Sequence, residues 1–257
     1  MQRLTGPAFA TASLAVTLVL GTGCAPSNGS GMVQVSPIEG ANTGTFYIDP
    51  YEAHINLGYA VSKAGEFPAT GLDAAAAKAA CAKSGKRLCK PEEFFVACLG
   101  PKIRAFSFQD TVDGIDQVCD VPLPAPSPTP TPTAALAEAG NLTPQEEGTT
   151  RTQALATGSL AGCKTDGLDV YDLIGGVSEW VDNTSAGTAQ TAVAFGVSYA
   201  TSPSSLTAAV TYCAGYTVDE DGNPLAITTL SPSVGFRCCA DSPETDLFAP
   251  NFPYVGN

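Results

Sequence analysis

The sequence predicts an α+β domain of irregular build: turn-rich, disulfide-stapled, with two short helices and small antiparallel sheets. Three observations lead there. Helix-forming patterns occur only twice and are short. Strand-forming runs are brief and bounded by Gly or Pro. Eight cysteines follow an export-type leader in a chain of 257 residues. Chains that cannot lean on long helices or large sheets lean on crosslinks and buried aromatics.

The leader spans residues 1–23. Arg3 supplies a short positive region, and residues 4–20 are apolar and small. Gly21-Thr22-Gly23-Cys24 follows. Small residues before a cysteine suit a lipoprotein signal peptidase, so Cys24 is expected to become the lipidated N-terminus and anchor the chain in a bacterial envelope membrane, facing the periplasm or the outside. Gly21 stands where a branched apolar residue is usual, and Leu20 lies one place earlier. An ordinary cleaved signal peptide is the alternative. A permanent span is disfavoured because the apolar run falls short of roughly 20 residues. Residues 24–40, rich at their start in Ser, Pro, Gly and Asn, read as a tether. Residues 41–245 read as one domain, and 246–257 as a C-terminal tail.

Removing Cys24 from the nine cysteines leaves eight. An even number in an exported chain implies up to four disulfides. No C-x-x-C pair occurs, which speaks against a thiolate metal site. The formal net charge is −13 with Arg3 included. Cleavage before Cys24 removes that one positive charge and no acid, giving −14. Such a surface repels nucleic acid and anionic lipid headgroups and favours solubility.

Along the domain, residues 45–48 (Thr-Phe-Tyr-Ile) read as a strand that continues through residues 51–55. Residues 72–83 are alanine-rich and read as a helix stopped by Gly85. A second helix begins at Pro91, with Glu92 and Glu93 in its first turn and Gly100 after its last. Phe94, Phe95, Ala97 and Cys98 are expected to pack inward from it. Residues 122–133 alternate proline with small residues, a pattern that favours extended polyproline II. Residues 121–160 therefore read as a proline-rich surface insertion, with Cys119 and Cys163 placed to pin its ends; a linker between two small domains is the alternative. Residues 193–199, 208–212 and 234–239 have strand composition. Asp219, Glu220 and Asp221 open a turn and lack the spacing of a calcium loop.

Four segments then occur in one order: Phe46-Tyr47-Ile48-Asp49-Pro50-Tyr51-Glu52, Gly85-Lys86-Arg87-Leu88-Cys89-Lys90-Pro91-Glu92-Glu93-Phe94, Asp172-Leu173-Ile174-Gly175-Gly176-Val177-Ser178-Glu179-Trp180, and Val234-Gly235-Phe236-Arg237. Together they resemble the formylglycine-generating enzyme, or sulfatase-modifying factor, family. That family carries F-x-I-D-x-x-E, G-K-R-L-P-T-E-A-E-W, D-M-x-G-N-V-x-E-W, R-G-G-S and a terminal G-F-R. The resemblance runs from about residue 45 to 240, outside the insertion.

The resemblance implies a compact fold, poor in regular structure and related to C-type lectins. Trp180, the one tryptophan, is expected to anchor the core beside Val177 and Val181, with ligand stacking as the alternative. The resemblance also implies bridges Cys81–Cys238 and Cys98–Cys213. For the other four cysteines the expected pairs are Cys119–Cys163 and Cys89–Cys239, although sequence alone permits 105 pairings of eight. The family's oxidases convert a client cysteine to formylglycine with oxygen and a copper ion held by two thiolates. Ser198 and Tyr199 match the motif serine and the aromatic after it. The copper positions fall on Thr201 and Leu206, which cannot bind copper. Other relatives bind iron through several histidines. This chain has one, His54, read as structural; it could serve only one hydrolytic triad, and no G-x-S-x-G elbow accompanies it. The family's calcium site loses an oxygen ligand because Gly176 replaces an asparagine. Glu179 remains, and Asp172, Glu179 and Asp182 could partly compensate, so a weakened calcium site near Gly176, Glu179 and Asp182 is the one cofactor expectation kept. These residues favour a non-catalytic binding module that presents loops to a protein or glycan partner. The alternative is a sulfatase-modifying oxidase with non-standard ligands.

Overall fold

Asp73 sets the start of the first helix. Its carboxylate accepts a hydrogen bond from the Ala76 amide at 2.7 Å, capping α1 (Ala74–Lys83). The computed structural model describes residues 31–111, 114–121, 152–183, 193–201, 213, 215–217 and 225–243. The chain-order elements are β1 (Val33–Val35), β2 (Phe46–Ile48), β3 (Ala53–Asn56), β4 (Tyr59–Ser62), α1, β5 (Arg87–Leu88), α2 (Pro91–Leu99), β6 (Ser178–Val181), β7 (Val193–Phe195), β8 (Tyr216–Thr217), β9 (Val234–Phe236) and β10 (Cys238–Ala240). Gly85 ends the first helical segment with φ of 73°, a conformation that costs glycine little. In α2 the Glu93 side chain reaches back to the Lys90 amide at 2.8 Å, and Pro91 opens the helix. Phe94, Val96, Ala97 and Cys98 are buried; Phe95, expected inside, is half-buried and packs against the edge of the same cluster.

Three small sheets result, in an irregular α+β arrangement. One has the order β1-β2-β10-β5, one is the β3–β4 hairpin, and one has the order β8-β7-β6-β9. Ile48 faces Cys239 across the first sheet, and Trp180 faces Phe236 across the parallel β6–β9 pair in the third. Two expected continuous strands are broken. The segment after Ile48 leaves the first sheet at Asp49, and β3 forms a separate hairpin with β4. Residues 234–239 split at Arg237, so that β9 and β10 lie in different sheets. The breaks share a cause: the Asp49 and Pro50 carbonyls turn to meet the buried guanidinium of Arg237.

Disulfides join Cys81 to Cys238, Cys89 to Cys239, Cys98 to Cys213 and Cys119 to Cys163. Successive residues on a strand face opposite ways. Cys238 therefore reaches α1 on one side of β10, while Cys239 reaches the residue before α2 on the other. Each lies in a different hydrophobic cluster. Trp180 is fully buried, but not beside Val177 and Val181 as expected. It packs with Ala77, Cys81, Leu88 and Phe236, and its indole N–H donates to the Leu72 carbonyl at 2.8 Å. Val181 belongs to the cluster on the far side, and Val177 packs with Ala154 and Tyr199.

Two boundaries also move. The ordered domain begins before residue 41, because Met32 and Val35 are buried and β1 pairs with β2. The expected surface insertion is not all surface. Residues 122–151 lie outside the described residues, but Val121, Ala154, Thr157 and Leu160 are buried. Cys24, residues 208–212 and 219–221, Leu206 and the tail also lie outside the described residues.

Candidate functional site

Where β9 passes into β10, Arg237 turns into the interior and gathers charge around it. Its guanidinium donates to both Glu179 carboxylate oxygens at 2.6–2.8 Å, to the Tyr171 carbonyl at 2.8 Å and to the Asp49 carbonyl at 3.2 Å. Both partners of the ion pair are buried. Glu179 comes from β6, so the pair ties the third sheet to the loop after β2. Beside it, the buried Asp49 carboxylate meets Lys86 at 2.8 Å.

Two further acids enter this interior without a basic residue in hydrogen-bond contact. Glu52 lies in the loop after β2. One of its oxygens accepts the Val177 amide at 2.7 Å, and the other, buried, has no hydrogen-bond partner. Asp172 accepts the Gly158 amide at 2.6 Å and the Thr157 hydroxyl at 2.9 Å on a single oxygen. Its φ of 58° is a left-handed conformation that Asp tolerates better than most residues. With Asp120, Thr157, Ser159 and Gly176 these acids line a small cleft with room for about one water. Burial and the negative charges of Asp172 and Glu179 hold the Glu52 carboxyl well above the usual carboxylate range. Burial pushes Asp172 up to about 6, against the pull of its two hydrogen bonds and of Arg237. Burial also raises Asp49 and Glu179, with Lys86 and Arg237 respectively pulling back.

The residues matched to the family's reaction centre are closed in. Ser198 and Tyr199 are 2% and 5% exposed. The Ser198 amide donates to the Thr201 hydroxyl at 3.0 Å, and its own hydroxyl accepts from the Ala200 amide at 3.3 Å. The Tyr199 hydroxyl lies 3.3 Å from the Thr152 carbonyl, and its ring packs on Ala154 and Val177. The returning arm of the proline-rich insertion thus covers Tyr199. Burial raises the Tyr199 phenol.

The calcium expectation near Gly176, Glu179 and Asp182 is corrected. Both Glu179 oxygens are taken by Arg237, and Asp182 pairs with Lys78 at 2.8 Å. At Gly176 a Cβ would stand 2.4 Å from a Glu52 oxygen, so the Glu52 carboxylate occupies the space a larger residue would need. None of the three is a cation ligand here. Among the described residues no group of three or more His, Cys, Asp or Glu is placed to hold a metal ion. His54 lies half-buried on β3, away from any nucleophile–base pair among the described contacts. Glu52, Arg237, Asp120 and Thr157 were not singled out from sequence. Glu52 and Arg237 stand inside quoted motifs, where an ionisable residue flanked by apolar strand residues was the available signal. Asp120 and Thr157 carried none.

Replacing Arg237 with Met is expected to cost about 3–5 kcal/mol of folding stability in a denaturant titration, because it strands a buried Glu179 charge. The pH dependence has a definite sign. Asp172 in the folded chain holds a proton up to about pH 6, whereas an aspartate in water loses it near 3.8. The folded state therefore binds more protons across that window, and unfolding free energy falls as pH rises through it. Urea titrations should show the wild type gaining about 2–3 kcal/mol from this group between neutral pH and pH near 4, and Asp172→Asn losing that gain. Exposed Glu66 and Asp110, lowered by Lys63 and Arg104 respectively, act in the opposite direction and are solvent-screened.

A family model described as a sulfatase-modifying factor enzyme 1-like domain matches residues 9–242. No protein of curated function gives a significant match. Among solved structures the chain is similar to PvdO from Pseudomonas aeruginosa, at 13% identity and TM-score 0.47, covering 82% of this chain and 90% of that one. It is similar to CarF at 16% identity and TM-score 0.46, covering 82% and 98%. It is also similar to Treponema denticola variable protein 1, at 12% identity and TM-score 0.46, covering 82% and 91%.

Proposed function

Because this chain belongs to the family of sulfatase-modifying factor enzyme 1-like domains, we propose that it is an exported lipoprotein in which that domain no longer oxidises a client and works instead as a binding and scaffold module at the bacterial cell envelope. The observation that carries this reading is the state of the sulfurs. The chain has nine cysteines, and four disulfides take up eight of them. Only Cys24 is left, and it lies at the end of the leader. A copper oxidase of this family type needs two thiolates together, because soft thiolates select Cu(I). A bridged sulfur is not a thiolate. Thr201, at one expected copper position, has a hydroxyl already engaged with Ser198.

Further support comes from the closed surroundings of Ser198 and Tyr199. A reaction centre must admit substrate, and here the covering arm is the chain's own residues 152–158. On a C-type-lectin-like scaffold the loops would be the part presented to a protein or glycan partner, while the net negative charge disfavours nucleic acid. Cys24, acylated after cleavage, supplies the membrane anchor.

Purified protein incubated with Cu(I) and then desalted should retain far less than one copper per chain. It should also consume no oxygen when offered a cysteine-containing peptide. Stoichiometric copper or iron with turnover would overturn the non-catalytic reading in favour of an oxidase with unusual ligands. The anchor is tested separately: mass spectrometry of the mature N-terminus should find a diacylglyceryl group on Cys24, and a free N-terminus at another residue excludes it.

A further inference from the structure

Residues 152–160 are held in an unusual way. Two main-chain bonds join them to the loop after β4: Gly65 N–H to the Thr157 carbonyl and Thr157 N–H to the Glu66 carbonyl, both 2.9 Å. Three other bonds end on buried acids. The Leu155 amide donates to Asp120 at 2.8 Å, and the Gly158 amide and Thr157 hydroxyl donate to Asp172. Beneath this segment lies the cleft lined by Glu52, Asp120 and Asp172. The Glu52 oxygen without a hydrogen-bond partner is buried at the same place.

The charges around Glu52 and Asp172 come from every neighbouring element. The loop after β2 brings Asp49 and Glu52, and Lys86 pairs with Asp49. The loop before β6 brings Asp172, and β6 brings Glu179. The β9–β10 junction brings Arg237, and the residues before the insertion bring Asp120. From the hairpin side come Glu66, and His54 close enough to act on it. Tyr51 stays neutral well above pH 8, since burial raises its phenol from 10.0. The one guanidinium in the interior is spent on Glu179 and on backbone carbonyls. Two buried carboxylates that see each other and share no cation of their own cannot both ionise cheaply.

We propose that Glu52 and Asp172 form a proton-held latch for residues 152–160: while they keep a proton between them the segment stays down over Tyr199, and when that proton leaves for solvent the cost of keeping two like charges buried, which exceeds what the segment's hydrogen bonds to Asp172 return, favours lifting the segment off them. Lifting the segment hydrates both carboxylates, so the open state is the better acid. Opening is therefore favoured as pH rises, and it uncovers the face of Tyr199 on which Ala154 packs. The latch stands independently of whether that face binds a partner.

Hydrogen exchange of the intact domain tests it. Protection factors for the Leu155, Thr157 and Gly158 amides, corrected for intrinsic exchange, should fall by about tenfold between pH near 5 and pH near 8. Amides of β6 should not change. Asp172→Asn should flatten this dependence, and Glu52→Gln, which keeps an acceptor for the Val177 amide, should reduce it. His54→Gln should leave it intact. Equal protection at both pH values overturns the proposal, as does a dependence that persists in both Asp172→Asn and Glu52→Gln. Loss of the dependence in His54→Gln alone assigns it to the imidazole and overturns it as well. Should Asp172→Asn not fold, Glu52→Gln decides alone: an unaltered slope there rejects the latch.

Discussion

Arg237 reaches Glu179 only because the chain gives up regular structure around it. To bring the guanidinium inside, one strand is cut into β9 and β10, and the strand that would follow β2 ends at Asp49. The carbonyls of Asp49, Pro50 and Tyr171 then turn inward to satisfy the donors that Glu179 does not take. A buried ion pair of this kind is weak evidence for stability, since the cost of desolvation offsets much of the attraction. What it does supply is specification. Side chains and carbonyls from two different sheets and from the loop after β2 are brought to one point. This is how a fold with such short strands acquires a single packing.

The disulfides act on the same problem from within the core. Cys238 and Cys239 follow Arg237 directly and face opposite sides of β10, so one fastens α1 and the other the link between β5 and α2. The buried arginine and the two buried bridges occupy three successive residues. Cys119–Cys163 closes the base of the proline-rich insertion, and the arm that returns from it lies across Tyr199. The eight cysteines after Cys24 are all held in disulfides. The polar interior around Arg237 is rich in acids.

Several elements were legible in the residues themselves because their causes are local. The helix of residues 74–83 follows from an alanine run closed by Gly85; alanine content alone starts it at residue 72, two residues early, and does not single out Asp73 as its cap. Pro91, Glu93 and Gly100 mark the second helix completely, since capping acts within one turn. The ordered motifs from Phe46 to Arg237 carried the family. By contrast, the arm at residues 152–160 looked like more of the polar insertion, because its burial depends on Asp120, Glu66 and Asp172, which are remote in sequence. Trp180 was rightly assigned to the core but to the wrong side of it, and the tether ended sooner than composition suggested because β1 finds a partner in β2.

By itself the sequence determined the number of crosslinkable cysteines, the two helices, the net negative charge and the single histidine. Those properties are counts and local patterns, and folding does not alter them. Only the tertiary structure decided which cysteines meet, that Glu179 answers Arg237 rather than a cation, and that Glu52 and Asp172 face each other beneath the arm. These are matters of distance between residues far apart in the chain. Where burial sets the cost of every charge, that distance, and not the identity of the residue, decides what an acid does.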